Sequence, residues 1–481
     1  MKEDRSLEIS GDALGDLIDA AKARILEHIE TLPLQPSADT DGAAAMARSL
    51  AEPLPRRGRP YEELFDLLFQ RVIPKSFTTA GPGYLAYIPG GGLPQSAVAD
   101  LIADATNRYV GVYAAAPGLA QIETTVTRWF CEIVGYPASA GGILTSGGSL
   151  SNFSALVTAR RDRLPENFLS GIIYVSDQTH HSIQKAAMLA GFPAGNVRAI
   201  ASDEKFRIRI TELSRAIAAD RAAGRTPFAV VANAGTTNTG AVDDLIAVSE
   251  IARVERLWLH IDGAYGGFFA LTERGRRTMA GLERGDSIAL DPHKGLFLPY
   301  GTGALLVRDA GALRRAHGVM ADYLPEMQES AASESVEALS PELSDFHLLS
   351  PELSRAWRGL RVWLPIQMHG IEPFRTNLDE KLDLALWATE ELKKIRGIEI
   401  LAEPQLSIAA FRLTRAGLDS KGLNALNREF MNRINRRKRI YVSGTMLGDI
   451  FAVRICVLSF RTHLDRIREG LEDLRAAVQE S

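Results

Sequence analysis

The chain has 481 residues, 46% hydrophobic and 24% charged, a balance that excludes a disordered, collagen-like or disulfide-scaffold protein. Its 55 Lys and Arg against 59 Asp and Glu leave a formal charge of −4. With no long basic run, no nucleic-acid or membrane-surface partner is expected.

The charged opening Met1-Lys2-Glu3-Asp4-Arg5 has no apolar run behind it, so no secretory leader is expected and the cytoplasm is the expected compartment. Nothing approaches the roughly 18 apolar residues of a membrane span. Residues 1–92 read as a helical arm. Leu14, Leu17, Ile18 and Ala21 recur at helical spacing, as do Leu64, Leu67, Leu68 and Val72. Between them, the prolines and the Arg-Arg-Gly-Arg cluster of 33–60 mark a linker. Such an arm suits the wrapping of a partner subunit.

Residues 93–374 read as one large unit. The runs 172–176, 197–201, 227–234, 257–262, 287–291 and 303–309 are short and nearly all apolar, with helical patterns between most of them. That alternation predicts an α/β fold with a largely parallel sheet covered on both faces. Residues 325–345 are small, polar and acidic, and read as a mobile loop. An amphipathic helix is expected from Ser350-Pro351-Glu352 onward. Residues 375–481 then follow a helix–strand–strand–helix–strand–strand–helix pattern, a small α+β unit. Cys131 and Cys456 lie in apolar runs and are expected as buried free thiols.

Four positions carry chemistry. Lys294, in the DPHK that follows the strand SIAL, can become a nucleophilic amine and form a Schiff base. Asp262 ends the strand LWLHID, and the small residues after it leave room for a flat ligand. A carboxylate there can keep a cofactor ring nitrogen protonated. The Gly147-Gly148-Ser149 turn opens a helix, whose first N–H groups and dipole suit a phosphate. His180 follows another strand end and can lie flat over a ring. No metal is expected.

Together with TSGGSLSN, SDQTHHS, NAGTTNTGAVDD, HIDGAYGG, DPHKGLFLPYG and RICVLSFRTH, this order resembles the pyridoxal-phosphate group II amino-acid decarboxylases over nearly the whole chain. The resemblance implies fold type I, the aminotransferase-like architecture, and a homodimer acting on a small-molecule amino-acid substrate with pyridoxal 5'-phosphate as cofactor. It implies that Lys294 holds the cofactor and moves protons, and that Asp262 pairs with the ring nitrogen. Ala264 and His180 would cover the two ring faces. Gly148, Ser149, Ser287 and His293 would bind the phosphate, and Thr237 would sit near the phenolic edge. Asp291 stands where animal relatives often have Asn, so its carboxylate should point away or be held by a cation.

Two departures from the family pattern bear on function. The substrate entrance reads Tyr87-Ile88-Pro89, with Val110 and Val112 in a stretch that relatives donate from the partner chain. These positions are apolar and carry no Lys or Arg, which favours an aromatic substrate. Relatives also carry a loop tyrosine that returns a proton to the substrate. The matching residue here reads as Phe346, with His347 beside it as a substitute acid. The expected activity is decarboxylation of an aromatic L-amino acid to amine and CO2. With Phe346 at the loop-acid position, oxidative deamination to an aldehyde is the alternative; a non-catalytic cofactor-binding relative is another, and a carbon–sulfur or aldol-type lyase is more distant.

Overall fold

The structure is a computed structural model and describes residues 7–319 and 345–480. Most of the loop expected at 325–345 lies outside the described residues. Among the described residues, no helix is long and apolar enough to cross a membrane.

The large sheet has seven strands: β1 (Gly141–Thr145), β2 (Gly171–Ser176), β3 (Val197–Ile200), β4 (Thr226–Asn233), β5 (Trp258–Asp262), β6 (Ser287–Leu290) and β7 (Gly303–Val307). Their order is β1-β7-β6-β5-β4-β2-β3. The pairings from β6 through β5, β4 and β2 to β3 are parallel. Strand β7 runs antiparallel to both neighbours, so β1 points the same way as β6. The sheet is therefore mixed rather than wholly parallel. Strand β1 was not expected from sequence, because it is short and glycine-led.

Both faces of this sheet are covered. Along β2, Ile172 and Tyr174 enter one apolar cluster while Ile173 and Val175 enter another. Along β4, Val230 and Ala232 alternate in the same way with Ala229 and Val231. A period of two that is apolar on both phases is what a doubly covered strand requires.

The C-terminal elements come in the order read from sequence: helix Glu372–Lys393, β8 (Ile398–Ala402), β9 (Ile408–Leu413), helix Ser420–Arg436, β10 (Ser443–Leu447), β11 (Ile450–Cys456) and helix Leu464–Gln479. The four strands form an antiparallel sheet in the order β10-β11-β9-β8. The first of these helices runs through the boundary expected at 374/375. In the N-terminal arm, helix Gly11–Thr31 buries none of its residues. The linker after it docks on the C-terminal unit: Ser37 Oγ donates to the Arg439 carbonyl at 2.7 Å, and Asp39 pairs with Lys438 at 3.0 Å.

The helix expected from residue 350 starts only at Gly359 and ends at His369. The extended stretch before it delivers Arg355 into the protein interior. Arg355 meets Glu123 at 2.5 Å with both side chains fully buried, and donates to the Leu144 carbonyl at 2.8 Å. The other Glu123 oxygen accepts the Gly359 N–H at 3.0 Å. A Cβ at 359 would come within 2.7 Å of the Glu123 Cβ, so only glycine permits this approach.

This ion pair ties residues 355–359 to helix Pro117–Ile133. Removing one partner strands the other charge in the interior. Glu123→Ala is expected to lower stability by about 3–5 kcal/mol, read as a reduced urea midpoint. A loss under about 1 kcal/mol, the scale of an exposed pair, would contradict this assignment.

Candidate active site

Strands β1, β2, β4, β5 and β6 all end at one edge of the large sheet, where open α/β sheets place their ligand crevice. Each is followed directly by a position singled out above: Gly147–Ser149 after β1, His180 after β2, Thr237 after β4, Asp262 at the end of β5, and His293 and Lys294 after β6. All of these, with Ala264 and Asp291, line one cavity of about 270 Å³. A larger cavity of about 760 Å³, walled by Trp129, Ile133, Met279 and Ile366, brings together no such set of reactive groups.

Lys294 lies in the short helix Pro292–Gly295. Its ammonium meets Asp291 Oδ2 at 2.8 Å. The cation that holds the unexpected carboxylate is thus Lys294 itself. Burial works to lower the Lys294 pKa, but the Asp291 carboxylate, with Asp262 behind it, raises it above the ordinary lysine value.

Asp262 is buried and held by two donors. Asn152 Nδ2 donates to Oδ2 at 3.1 Å, and the Ala264 N–H donates to Oδ1 at 3.1 Å. Asn152 lies on helix Gly148–Arg163 and also donates to Ser182 Oγ at 3.0 Å. Its oxygen is 2.9 Å from His260 Nε2. Burial pushes His260 down to about 4 against the pull of Asp262, so near neutral pH the ring is uncharged and carries a single N–H. That proton sits on Nε2, facing the Asn152 oxygen. Nδ1 then accepts from Ser287 Oγ at 2.8 Å, and Ser287 Oγ accepts from Trp258 Nε1 at 2.8 Å. The bonds have one consistent direction from Trp258 to Asp262. Neither His260 nor Asn152 was assigned a role from sequence. The available signal was the two-residue spacing that puts Trp258, His260 and Asp262 on one face of β5.

His180 Nδ1 is 2.8 Å from Ser182 Oγ and accepts the Ser182 N–H at 3.3 Å. Burial lowers its pKa, with Asp262 opposing, so a neutral ring faces the cavity. His293 donates from Nδ1 to the Thr302 carbonyl at 2.6 Å and is likewise lowered by burial, against Asp291. At the Gly147-Gly148 turn, Gly147 takes φ 153°. A Cβ on Gly148 would meet Ala264 Cβ and Asp291 Oδ2, each at 3.1 Å. The turn lets the backbone close on the cavity; the Leu150 and Ser151 N–H groups bond to the Gly147 carbonyl at 3.0 and 3.1 Å, which leaves the Gly148 and Ser149 N–H groups as the donors at the start of helix Gly148–Arg163. An amine, a held carboxylate, a neutral imidazole and a helix N-terminus around one polar cavity fit pyridoxal phosphate.

Several expected site residues lie elsewhere. Ser287 is not in the cavity: it starts β6, at the strand end opposite the crevice, and its hydroxyl is engaged by Trp258 and His260. Phe346 is 2% exposed and packs with Ile143, Leu305, Val307 and Leu313, with the Arg355 guanidinium 5.1 Å over its ring. In this packing Phe346 does not line the cavity. His347 is buried too, with its N–H and Nδ1 both 3.1 Å from the Gly111 carbonyl. Ile88 belongs to the main core, and Pro89, Val110 and Val112 are buried. Tyr87 is exposed with φ 49°, and its N–H donates to Ser443 Oγ at 3.0 Å. None of these five lines the cavity.

Comparison with known proteins agrees with this chemistry. Residues 44–414 match the pyridoxal-dependent decarboxylase conserved domain. An aromatic-L-amino-acid decarboxylase of Bacillus atrophaeus is 32% identical, over 99% of this chain and 97% of its own. One from Cavia porcellus is 27% identical, over 94% of each chain. Among solved structures, Oryza sativa TDC with PLP and tryptamine superposes with a TM-score of 0.91 at 24% identity, covering 98% of this chain and 99% of its own. Rhodiola rosea 4-hydroxyphenylacetaldehyde synthase reaches 0.89 at 23%, with the same coverage; at these identities the two share the fold. With its fold, its cavity and its near full-length similarity all in accord, this chain belongs to the pyridoxal-dependent decarboxylase family, as an enzyme whose cofactor is pyridoxal phosphate.

Proposed function

We propose that the enzyme decarboxylates an aromatic L-amino acid, releasing the amine and CO2, and that it works as a homodimer in the cytoplasm. The observation that carries the reaction is the meeting of Lys294, Asp262 and His180 in one cavity. The substrate class rests on similarity over nearly the whole chain to the bacterial aromatic-L-amino-acid decarboxylase.

Pyridoxal phosphate, when bound, supplies an electron sink for the pair left on Cα as CO2 departs. The chain's own residues do the rest. Lys294 would hold the cofactor, and its amine would carry protons at the substrate Cα. Asp262, fixed by Asn152 and the Ala264 N–H, keeps a proton on the ring nitrogen. His180, Ala264 and Thr237 line the cavity; the first two would bound the cofactor ring and Thr237 would stand by its phenolic edge. The Gly148 and Ser149 end of the helix, with His293, receives the phosphate.

The aldehyde alternative rests on Phe346 as the loop residue, and its packing in the core favours the amine reading. On sequence, the single tyrosine of residues 320–344 is Tyr323, which lies outside the described residues. Assays of CO2, amine and peroxide with aromatic and acidic amino acids test the function. The expected result is equal amine and CO2 from an aromatic substrate, without peroxide, and Phe346→Tyr should leave that product ratio unchanged. Peroxide and aldehyde that give way to amine in Phe346→Tyr would contradict the proposal, as would cofactor binding without CO2 release.

The dimer is supported by uncovered apolar surface. Leu14, Ile18, Ile25 and Leu26 on the first helix are exposed, as are Val98, Leu101 and Ile102 on helix Pro94–Thr106. Contiguous apolar stripes of this kind mark protein contacts. The reducing location is supported by Cys131 and Cys456, both free and buried, with burial pushing each thiol up to about 12. Sedimentation should give a dimer, and Ile18→Asp combined with Leu101→Asp should give a monomer. A monomeric wild type would contradict this.

A further inference from the structure

The Asp291 carboxylate is 2% exposed. Oδ2 is 2.8 Å from Lys294 Nζ. Oδ1 is buried and has no hydrogen-bond partner among the described residues. A carboxylate so confined is costly to leave unpaired, and the Gly147-Gly148 turn closes over it. The other titratable groups around Lys294 are Asp262, His180, His293, Tyr300 and Cys456. Asp262 is held by Asn152 and Ala264, His180 is bonded to Ser182, and His293 is bonded through Nδ1 to Thr302, with its Nε2 3.7 Å from Asp291 Oδ2. Burial favours the neutral form of both histidines. Asp291 is left as the group that pairs with the lysine.

We propose that Asp291 is a positioning residue that holds the Lys294 ammonium in the cofactor-free enzyme and thereby makes cofactor capture dependent on pH. The proposal rests on Lys294 being the attachment residue. Attachment needs the neutral amine. One ammonium proton must first pass to solvent. The nitrogen lone pair then attacks the aldehyde carbon of pyridoxal phosphate. A carbon–nitrogen double bond replaces the carbon–oxygen double bond, and the oxygen leaves as water with the two remaining amine protons. By stabilising the charged form, Asp291 shifts the first of these events to higher pH. The raised Lys294 pKa agrees in sign: the amine stays protonated, and capture stays slow, until the pH climbs toward that raised value.

The test mixes cofactor-free full-length enzyme with pyridoxal phosphate and follows the absorbance of bound cofactor from about pH 6 to about pH 9. Each unit of pH below the lysine pKa reduces the neutral amine about tenfold. The wild-type capture rate should therefore climb about tenfold per unit through this range. In Asp291→Asn, which keeps the shape and removes the charge, capture near neutral pH should be on the order of tenfold faster, with the rise displaced to lower pH. Coincident profiles for the two proteins would overturn the proposal. If that variant does not fold, Asp291→Ser, which also removes the charge, takes its place in the same comparison, and a flat wild-type profile would by itself overturn the proposal. Lys294→Ala separates the two levels: an absorbance change equal to that of wild type would refute attachment at Lys294 instead.

Discussion

A carboxylate taken out of water at a strand end must be held by donors, or it takes up a proton. Around Asp262 this requirement organises the site. The donors come from Asn152, 110 residues earlier in the chain, and from the backbone of Ala264. Asn152 is itself oriented by His260, and His260 by Ser287 and Trp258. Every member of this row is fixed in polarity by the indole N–H at its start, which can only donate. The row crosses from β6 through β5 to helix Gly148–Arg163 and so locks the strand end to the turn that opens the helix. A misplaced strand would break several buried bonds at once.

The same cavity separates its charges by environment. The two histidines that face it are driven toward neutrality by burial, while Lys294 stays charged because Asp291 accompanies it. A neutral imidazole can lie against an aromatic ring with no charge to hydrate. A charged lysine beside a buried carboxylate is a stored proton. Away from the cavity, the Glu123–Arg355 pair performs the analogous fixing for the chain that returns from residue 345. It holds that chain against helix Pro117–Ile133 with Phe346 packed beneath the Arg355 guanidinium.

Strands β2 to β7 were legible because each is a short apolar run between polar breaks, and the C-terminal pattern was legible for the same reason. The direction of β7 was not, since composition is blind to strand polarity. Nor was β1, whose glycines hide its apolar part. The helix expected at residue 350 failed because Arg355 and Arg358 are worth more in tertiary contacts than in a helix turn; Arg358 pairs with Glu352 at 2.7 Å and reaches toward the Leu144 carbonyl. At the site, residues just past strand ends were legible, because the open edge of the sheet collects them. Ser287 misled because it opens the same strand that Asp291 follows, a displacement of one strand length to the wrong edge. Phe346, Ile88 and Val112 do not line the cavity of their own chain, and an apolar residue in a motif looks the same in sequence whether it lines a pocket or fills a core. The Asn152–His260 link was invisible because its partners are 108 residues apart.

The central claim is that Lys294 is the residue to which the cofactor attaches. The most direct measurement is borohydride reduction of the cofactor-loaded enzyme, followed by proteolysis and mass mapping of the pyridoxyl group. The account predicts a single modified peptide carrying the group on Lys294. A pyridoxyl group found instead on an exposed lysine such as Lys205, with Lys294 unmodified, would contradict it.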